Sequence, residues 1–253
     1  MLNYVEYGKE NKYDDDIFFQ KYSQMSRSQQ GLAGAGEWET LRKLLPDFKD
    51  KRVLDLGCGY GWHCIYAMEH GASSVVGVDI SHKMLDVAKE KTHFPQVEYK
   101  CCAIEDVEFP EESFDVILSS LAFHYVADYE ILVKKIYRIL KSGGNLVFTV
   151  EHPVFTAYGT QYWHYNEKGE ILHFPVDNYY YEGKRTAVFL GEKVTKYHRT
   201  LTSYLNTLLS NGFIINHIVE PQPMENMMDI PGMRDEMRRP MMLIVSANKK
   251  VDR

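Results

Sequence analysis

The sequence predicts an α/β protein whose core is a Rossmann-like, seven-stranded sheet with helices on both faces. Two observations favour this fold class. From residue 51 onward, short apolar runs alternate with stretches of helical periodicity, which is typical of a parallel sheet. The first apolar run also leads directly into a glycine-rich turn, Gly57-Cys-Gly-Tyr-Gly61, at the place where such sheets bind ligands.

The individual elements follow from the same periodicity. Helices are expected over residues 61–70, 82–92, 129–140 and 200–211. The third of them should stop at Lys141-Ser-Gly-Gly144, because glycine adopts the left-handed conformation that ends helices. Strands are expected over residues 52–56, 74–79, 97–101, 114–119, 144–150, 213–219 and 241–247.

An insertion rich in aromatic side chains interrupts this alternation after Pro153. Within it, Tyr179–Leu190 is predicted to form two strands around a Gly183-Lys184 turn. The aromatic rings either form a small core of their own or wall off a ligand pocket, and the two are compatible. We therefore divide the chain into an N-terminal arm (1–40), a core (41–152), an inserted lid (153–200) and a C-terminal completion of the core (201–253).

The composition of the chain restricts the kinds of molecule that it is expected to bind. With 29 Lys and Arg against 35 Asp and Glu, the net charge of −6 disfavours general nucleic-acid binding. No apolar run reaches the roughly 18 residues of a membrane span. The first residues lack the basic and apolar regions of a signal peptide. No pattern in the sequence indicates an oligomeric state. The cysteines lack the spacing of a metal site, so we expect no metal and a cytoplasmic protein with reduced thiols at Cys58, Cys64, Cys101 and Cys102.

The glycine turn indicates which nucleoside is bound. Asp79 ends the second strand 22 residues after Gly57, where a carboxylate can hold both hydroxyls of a ribose. Gly61 follows Gly59 by two positions, whereas a dinucleotide site has a spacing of three. Asp55 would repel a pyrophosphate but attract a cation. The ligand is therefore expected to carry a ribose and an ammonium group, as S-adenosylmethionine (SAM) does.

Val53–Gly61 and Val75–Asp79 resemble the first and second motifs of class I SAM-dependent methyltransferases of the small-molecule type. The resemblance covers roughly residues 40–150 and 200–248. It implies an antiparallel last strand, SAM as the methyl donor and S-adenosylhomocysteine (SAH) as the product. The implied cofactor-binding residues are Tyr22, Arg27, Asp55, Gly57, Cys58, Gly59, Asp79, Ile80, Met84, Ile104, Glu105 and Ser119.

The same resemblance implies a role for the loops after the second and third strands. Asp79 would grip the ribose, and Ile80 would offer an apolar face to the adenine. The family commonly has an aspartate where this chain has Ala103, which leaves the Ile104 N–H for a ring nitrogen and Glu105 as the substitute carboxylate.

The methionine end of the cofactor is assigned to two further elements. The Ser119 carbonyl would lie near the ammonium group, at the end of the fourth strand. The arm resembles segments that fold over the SAM site, so Arg27 would pair with the carboxylate while Tyr22 closes over it. In the alternative interpretation, the arm only packs against the core through the rings of Phe18, Phe19 and Tyr22.

Three histidines are candidates for contact with the methyl acceptor. His124 follows the fourth strand, and its imidazole could take the proton that the acceptor loses. His152 ends the fifth strand, and His198 lies behind the predicted hairpin. The alternative for His124 is a packed or N-capping role, and the alternative for His198 is a place on the polar face of a hairpin strand.

The predicted function is SAM-dependent methylation of a small molecule. A protein or RNA methyltransferase is the first alternative, although the stretch Ser119-Ser-Leu-Ala lacks the Asn-Pro-Pro-Tyr type motif of amino-methylating enzymes. A SAM-binding sensor or scaffold without activity is the second. The acceptor itself cannot be deduced from the sequence.

Overall fold

The computed structural model describes Lys9 and residues 11–251. The first eight residues and residue 10 of the predicted arm, with residues 252–253, lie outside the described residues. Strands in the described part are β1 (Arg52–Leu56), β2 (Ser74–Asp79), β3 (Val97–Cys101), β4 (Phe114–Ser120), β5 (Leu140–Glu151), β6 (His164–Tyr165), β7 (Ile171–His173), β8 (Gly183–Phe189), β9 (Glu192–His198), β10 (Phe213–Val219) and β11 (Met242–Lys249).

Seven of these strands form one mixed sheet in the order β10-β11-β5-β4-β1-β2-β3. Strand β11 runs antiparallel to both of its neighbours, β5 and β10, whereas β5, β4, β1, β2 and β3 pair in parallel. The predicted seven-stranded sheet with an antiparallel last strand is therefore confirmed.

Helices cover both faces of this sheet. Serine, aspartate and threonine side chains cap four of them: Asp15 before α1, Ser81 before α5, Asp128 before α6 and Thr200 before α8 each accept a backbone N–H of the first turn. The helices are α1 (Asp16–Ser23), α2 (Ser26–Gln29), α3 (Trp38–Leu41), α4 (Trp62–Glu69), α5 (His82–Lys91), α6 (Tyr129–Ile139), α7 (Pro153–Thr156), α8 (Leu201–Ser210) and α9 (Met233–Glu236).

The sheet is buried on both faces, which explains why its strands are almost continuously apolar. Successive residues of β1 show this directly: Val53 packs with α3 and α4 on one face, and Leu54 packs with α6 and α8 on the other. Both side chains are fully buried.

The predicted glycine stop after α6 is wrong in its details. The helix ends at Ile139, and Leu140 already pairs with Phe114 of β4. The next pair is Asn145 with Val116, so residues 141–144 form an irregular bulge within β5. Gly143, with a φ of 73°, serves this bulge rather than a helix cap.

The predicted position of the hairpin turn is also wrong. Strands β8 and β9 pair from Gly183 with His198 to Phe189 with Glu192, so the turn is Leu190-Gly191. Both turn residues have positive φ, 53° and 80°, as a two-residue hairpin turn of the primed type requires.

The arm and the hairpin share a small core of their own. Phe18 of α1 is fully buried against Ala187 of β8 and Val194 of β9, and its ring meets the Phe189 ring edge-on at 5.7 Å. Lys21 donates a hydrogen bond to the Leu190 carbonyl in the hairpin turn, at 3.0 Å. These contacts join the two segments above the edge of the main sheet.

None of the helices among the described residues combines the length and the apolar character that crossing a membrane would require.

Candidate active site

A cavity of about 440 Å³ lies at the carboxyl ends of the parallel strands. The glycine turn after β1, Asp79 of β2, Ser120 of β4 and Glu151 of β5 form its floor. Side chains of the arm, including Tyr22, and of the hairpin cover it from above. This is the position where open α/β sheets bind their ligands.

The glycine turn leaves space that any side chain would fill. Gly57 has a φ of 78°, and a Cβ placed on it would lie 2.4 Å from the Ala122 Cβ on the neighbouring loop. Gly59 has a φ of 53° and lines the cavity. Gly61, at 75°, begins α4. The backbone can therefore approach a ligand closely here, as the sequence predicts.

Asp79 is fixed by the same turn. Its Oδ2 accepts the Gly59 N–H at 2.9 Å, and its Oδ1 accepts the Ser81 N–H at 2.9 Å. Each oxygen keeps a lone pair for a further donor, and the side chain reaches the cavity while only 9% exposed. Burial raises the pKa of this carboxyl above its usual range.

An apolar recess adjoins Asp79. Ile80 and Met84 line it from the start of α5, and Ala103, Ile104 and Glu105 line it from the loop after β3. Ile80, Met84, Ile104 and Glu105, the four residues predicted to contact the cofactor here, thus line the same cavity as Asp79.

The arm supplies a guanidinium to the same cavity. Arg27 Nη2 donates to both carboxylate oxygens of Glu37, at 3.0 and 2.9 Å, and Glu37 is 2% exposed. These bonds use one of the three guanidinium nitrogens, and Arg27 lines the cavity beside Tyr22. The buried glutamate thus sets the direction of the arginine.

Three predicted cofactor residues do not line the cavity. Asp55 is buried beneath the turn, with Oδ2 3.5 Å from the Cys64 thiol and Oδ1 without a partner among the described residues. Burial raises its pKa to about 7. Cys58 is buried, and its backbone N–H is bonded to Val78. Ser119 points its hydroxyl away to the Leu56 carbonyl, whereas its neighbour Ser120 lines the cavity.

His124 lines the cavity but is not arranged as a proton acceptor. Its Nδ1 accepts a long hydrogen bond of 3.4 Å from the Glu151 N–H. Burial lowers its pKa to about 4, so the ring is neutral near pH 7 with its proton on Nε2. In this tautomer the imidazole can donate to a ligand, and the expectation of a general base at His124 lacks geometric support.

The other two histidines lie outside the cavity lining. His152 Nδ1 caps α7 by accepting the Val154 N–H at 3.1 Å, while its Nε2 lies 2.8 Å from Glu220 Oε1. His198 is fully buried between the Thr156 hydroxyl, at 2.7 Å, and the Tyr179 carbonyl, at 2.9 Å. The hydrogen bonds of both rings thus stabilise the insertion.

A carboxylate that was not predicted from the sequence also lines the cavity. Glu151 is the last residue of β5, one position before His152, and its side chain reaches the cavity. Gln161 of the insertion and Tyr13 of the arm also line it. The available signal was the position of Glu151 at the carboxyl end of a parallel strand, since His152 lies beyond β5 and caps α7.

Among the described residues there is no group of three or more His, Cys, Asp or Glu side chains arranged to hold a metal ion.

The fold and the cavity define a nucleoside-binding α/β protein, and comparison with known proteins gives its family. Residues 54–148 match the methyltransferase domain family. A putative SAM-dependent methyltransferase from Listeria monocytogenes is 56% identical, with a TM-score of 0.83 over 87% of this chain and 99% of that one. The chain therefore belongs to the class I SAM-dependent methyltransferases.

Two curated relatives extend the comparison. An uncharacterized protein of Haemophilus influenzae is 34% identical over 94% of this chain and 96% of its own length. A ubiquinone biosynthesis O-methyltransferase of Coxiella burnetii is 36% identical over 112 residues, which is 44% of this chain and 47% of that protein.

Proposed function

We propose that this SAM-dependent methyltransferase acts on a small-molecule acceptor. The observation that supports this most directly is that Asp79 and the hairpin residues Val188 and Phe189 line one cavity of about 440 Å³. SAM, when bound, supplies an electrophilic methyl group on a sulfonium. The Coxiella relative, whose name is that of a small-molecule O-methyltransferase, supports the same acceptor class.

The chain's own residues would hold the cofactor along this cavity. Asp79 would accept the two ribose hydroxyls, and Ile104 and Glu105 would contact the adenine edge. Arg27, fixed by Glu37, would pair with the carboxylate at the amino-acid end. Positioning of this kind would supply most of the rate acceleration, because methyl transfer requires the donor and the acceptor to be in line.

The arm (1–40) and the insertion (153–200) would act together as the lid. The shared core around Phe18 supports this, because the two segments cannot separate from each other without exposing it. A lid that closes over the cavity excludes water from the reactive sulfonium. A protein or RNA substrate would need a more open path to the methyl group, which favours the small-molecule alternative.

The cell compartment is a further part of the proposal. Cys58, Cys64, Cys101 and Cys102 are all free thiols, as in a reducing compartment. We place the enzyme in the cytoplasm on this ground.

Isothermal titration with SAM, SAH and 5′-methylthioadenosine tests the cofactor site. SAM and SAH are expected to bind, with SAH giving a closed, protease-resistant arm and hairpin. Absence of binding for both would overturn the function, and tight binding with an acceptor end open to bulk solvent would favour the sensor alternative.

Replacing the Arg27–Glu37 pair as a unit, Arg27→Met with Glu37→Gln, is expected to weaken SAH binding about 10- to 100-fold. The double change removes the charge that faces the carboxylate without leaving Glu37 buried and unpaired. 5′-Methylthioadenosine lacks the amino-acid end, so its affinity should stay within about twofold.

The matched control is the exposed pair Arg42–Glu39, whose side chains are 49% and 44% exposed. Arg42→Met with Glu39→Gln should leave the affinity for both ligands unchanged. A parallel loss of SAH and 5′-methylthioadenosine affinity in the Arg27–Glu37 variant would mean that the arm closes the whole site and does not read the carboxylate.

A further inference from the structure

An ion pair between Glu151 and Lys196 lies beside the cavity, and none of the contacts proposed for SAM uses it. Glu151 Oε1 lies 2.5 Å from Lys196 Nζ on β9, with the two side chains 15% and 2% exposed. Gln161 closes a ring of hydrogen bonds: its Nε2 donates to Glu151 Oε2 at 2.6 Å, and its Oε1 accepts from Lys196 at 3.1 Å.

The carboxylate in this ring has unused capacity. A carboxylate offers about four lone-pair positions, and the two bonds from Lys196 and Gln161 engage one position on each oxygen. A buried charge with unfilled positions is unfavourable unless a donor reaches it. Glu151 lines the cavity, so a ligand there can supply that donor.

The surroundings restrict what such a ligand can be. Apolar side chains of Phe155, Val188, Phe189 and Met242 line the same cavity as Glu151, and Met242 lies opposite Glu151 in the sheet, which suits an apolar body. Lys196 cancels the charge of Glu151 and lies over the Phe189 ring, 5.5 Å from its centroid. A cationic acceptor would therefore meet a sulfonium and an ammonium with little net attraction to compensate.

Resting on the proposed function, we propose that Glu151 binds the methyl acceptor, through the very O–H or N–H group that becomes methylated. The acceptor is a neutral molecule with that donor on an apolar, ring-containing body. Lys196 and Gln161 are positioning residues that hold the carboxylate toward the cavity.

The sulfur–methyl bond of SAM breaks as the oxygen–methyl or nitrogen–methyl bond forms, and the acceptor's proton passes to a Glu151 oxygen. The products are SAH, the methylated acceptor and a glutamic acid that returns its proton to water. Burial acts to raise the pKa of the Glu151 carboxyl, but the ammonium of Lys196 and the hydrogen bond from Gln161 lower that pKa and keep the carboxyl ionised. A weak base suffices, because the attacking group becomes strongly acidic as it is methylated.

The test uses simple ring compounds on the full chain saturated with SAH. Binding of phenol and of its methyl ether, anisole, is compared by saturation-transfer NMR, and a second arm compares aniline with N,N-dimethylaniline. We expect the donor-bearing member to bind about 10-fold more tightly than its methylated partner. The stronger arm then identifies O–H or N–H as the acceptor group.

Two variants assign the preference to Glu151. Glu151→Gln keeps the shape and should reduce the preference to about threefold, because a neutral oxygen is a weaker acceptor. Glu151→Leu with Lys196→Met removes the pair without leaving a lone buried ammonium, and should abolish the preference. Glu167→Gln, an exposed change in the same insertion, is the matched control and should keep it.

The outcomes separate this proposal from the function on which it depends. If wild type does not bind SAH, the proposed function fails. If wild type binds SAH but binds neither donor-bearing compound, or binds each pair equally, the acceptor role of Glu151 is overturned. Retention of the preference in the Leu–Met double variant, with SAH binding intact, would overturn it as well.

Discussion

Alanine at position 79 is expected to raise the dissociation constant for SAH at least about 100-fold. Asp79 lines the cavity, and each of its oxygens accepts a single backbone hydrogen bond that leaves capacity for another. Two hydrogen bonds from ribose hydroxyls to a carboxylate contribute about 3 kcal/mol or more together. The effect should extend equally to 5′-methylthioadenosine, which keeps the ribose. Isothermal titration of the two ligands measures it.

The change also affects the free protein, since Asp79 accepts the backbone N–H groups of Gly59 and Ser81. Asp79→Asn is therefore the second variant: it keeps the side-chain volume and one acceptor oxygen, and should lose less affinity than alanine. Asp86→Ala is the control on the exposed side of α5, with no expected change. Near-normal SAH affinity in a folded Asp79→Ala protein would show that the ribose lies elsewhere.

The core sheet was predictable because its strands are buried on both faces. Such strands are short apolar runs separated by glycine and charged turns, so β1, β2 and β3 begin and end where the sequence predicts. The glycine turn was predictable for a steric reason. Only a residue without a Cβ avoids Ala122 at position 57, and that requirement is visible as a glycine in the sequence.

The hairpin turn was not predictable from local residues. Gly183-Lys184 and Leu190-Gly191 both contain the glycine that a tight turn favours. Which of the two pairs forms the turn depends on the strand register that buries Ala187 and Val194 against Phe18. Phe18 lies more than 160 residues earlier in the chain. That contact belongs to the tertiary structure and has no counterpart in a window of sequence.

The same limit applies to the candidate catalytic residues. His152 is the more familiar catalytic residue type, but the neighbouring Glu151 is the one whose side chain reaches the cavity. Whether a strand residue faces the ligand or the opposite layer depends on the register of β5 with β4, which the bulge at residues 141–144 shifts. His124 lines the cavity, and its tautomer follows from a backbone N–H that only the folded chain brings to Nδ1.

Asparagine at position 55 is expected to stabilise the free protein at neutral and alkaline pH. Asp55 is 1% exposed, its Oδ1 has no partner among the described residues, and burial raises its pKa from 3.8 to about 7. The folded state therefore binds the proton more tightly than the unfolded state does. This destabilising contribution is absent below about pH 4, grows between pH 4 and 7 and is complete above pH 7.

From the size of that pKa shift, the free energy of unfolding of Asp55→Asn should exceed that of wild type by up to about 4 kcal/mol at pH 8. At pH 4 the two should be almost equal. Urea denaturation of both proteins across this range measures the difference, in which the titrations of other groups cancel. Asp115→Asn is a control of opposite sign. Its carboxyl accepts the Arg52 N–H at 2.9 Å and pairs with Lys141, and despite burial these contacts lower its pKa.

Asp115→Asn should therefore lose stability at neutral pH, and the loss should shrink as the pH falls below about 4. If Asp55→Asn showed the same sign and the same pH window as Asp115→Asn, the buried carboxylate would have an unrecognised cationic partner. If Asp55→Asn were stabilised at every pH by the same amount, its effect would come from packing and not from the charge. Only a gain that rises between pH 4 and 7 supports a carboxylate buried beneath the glycine turn without a compensating charge.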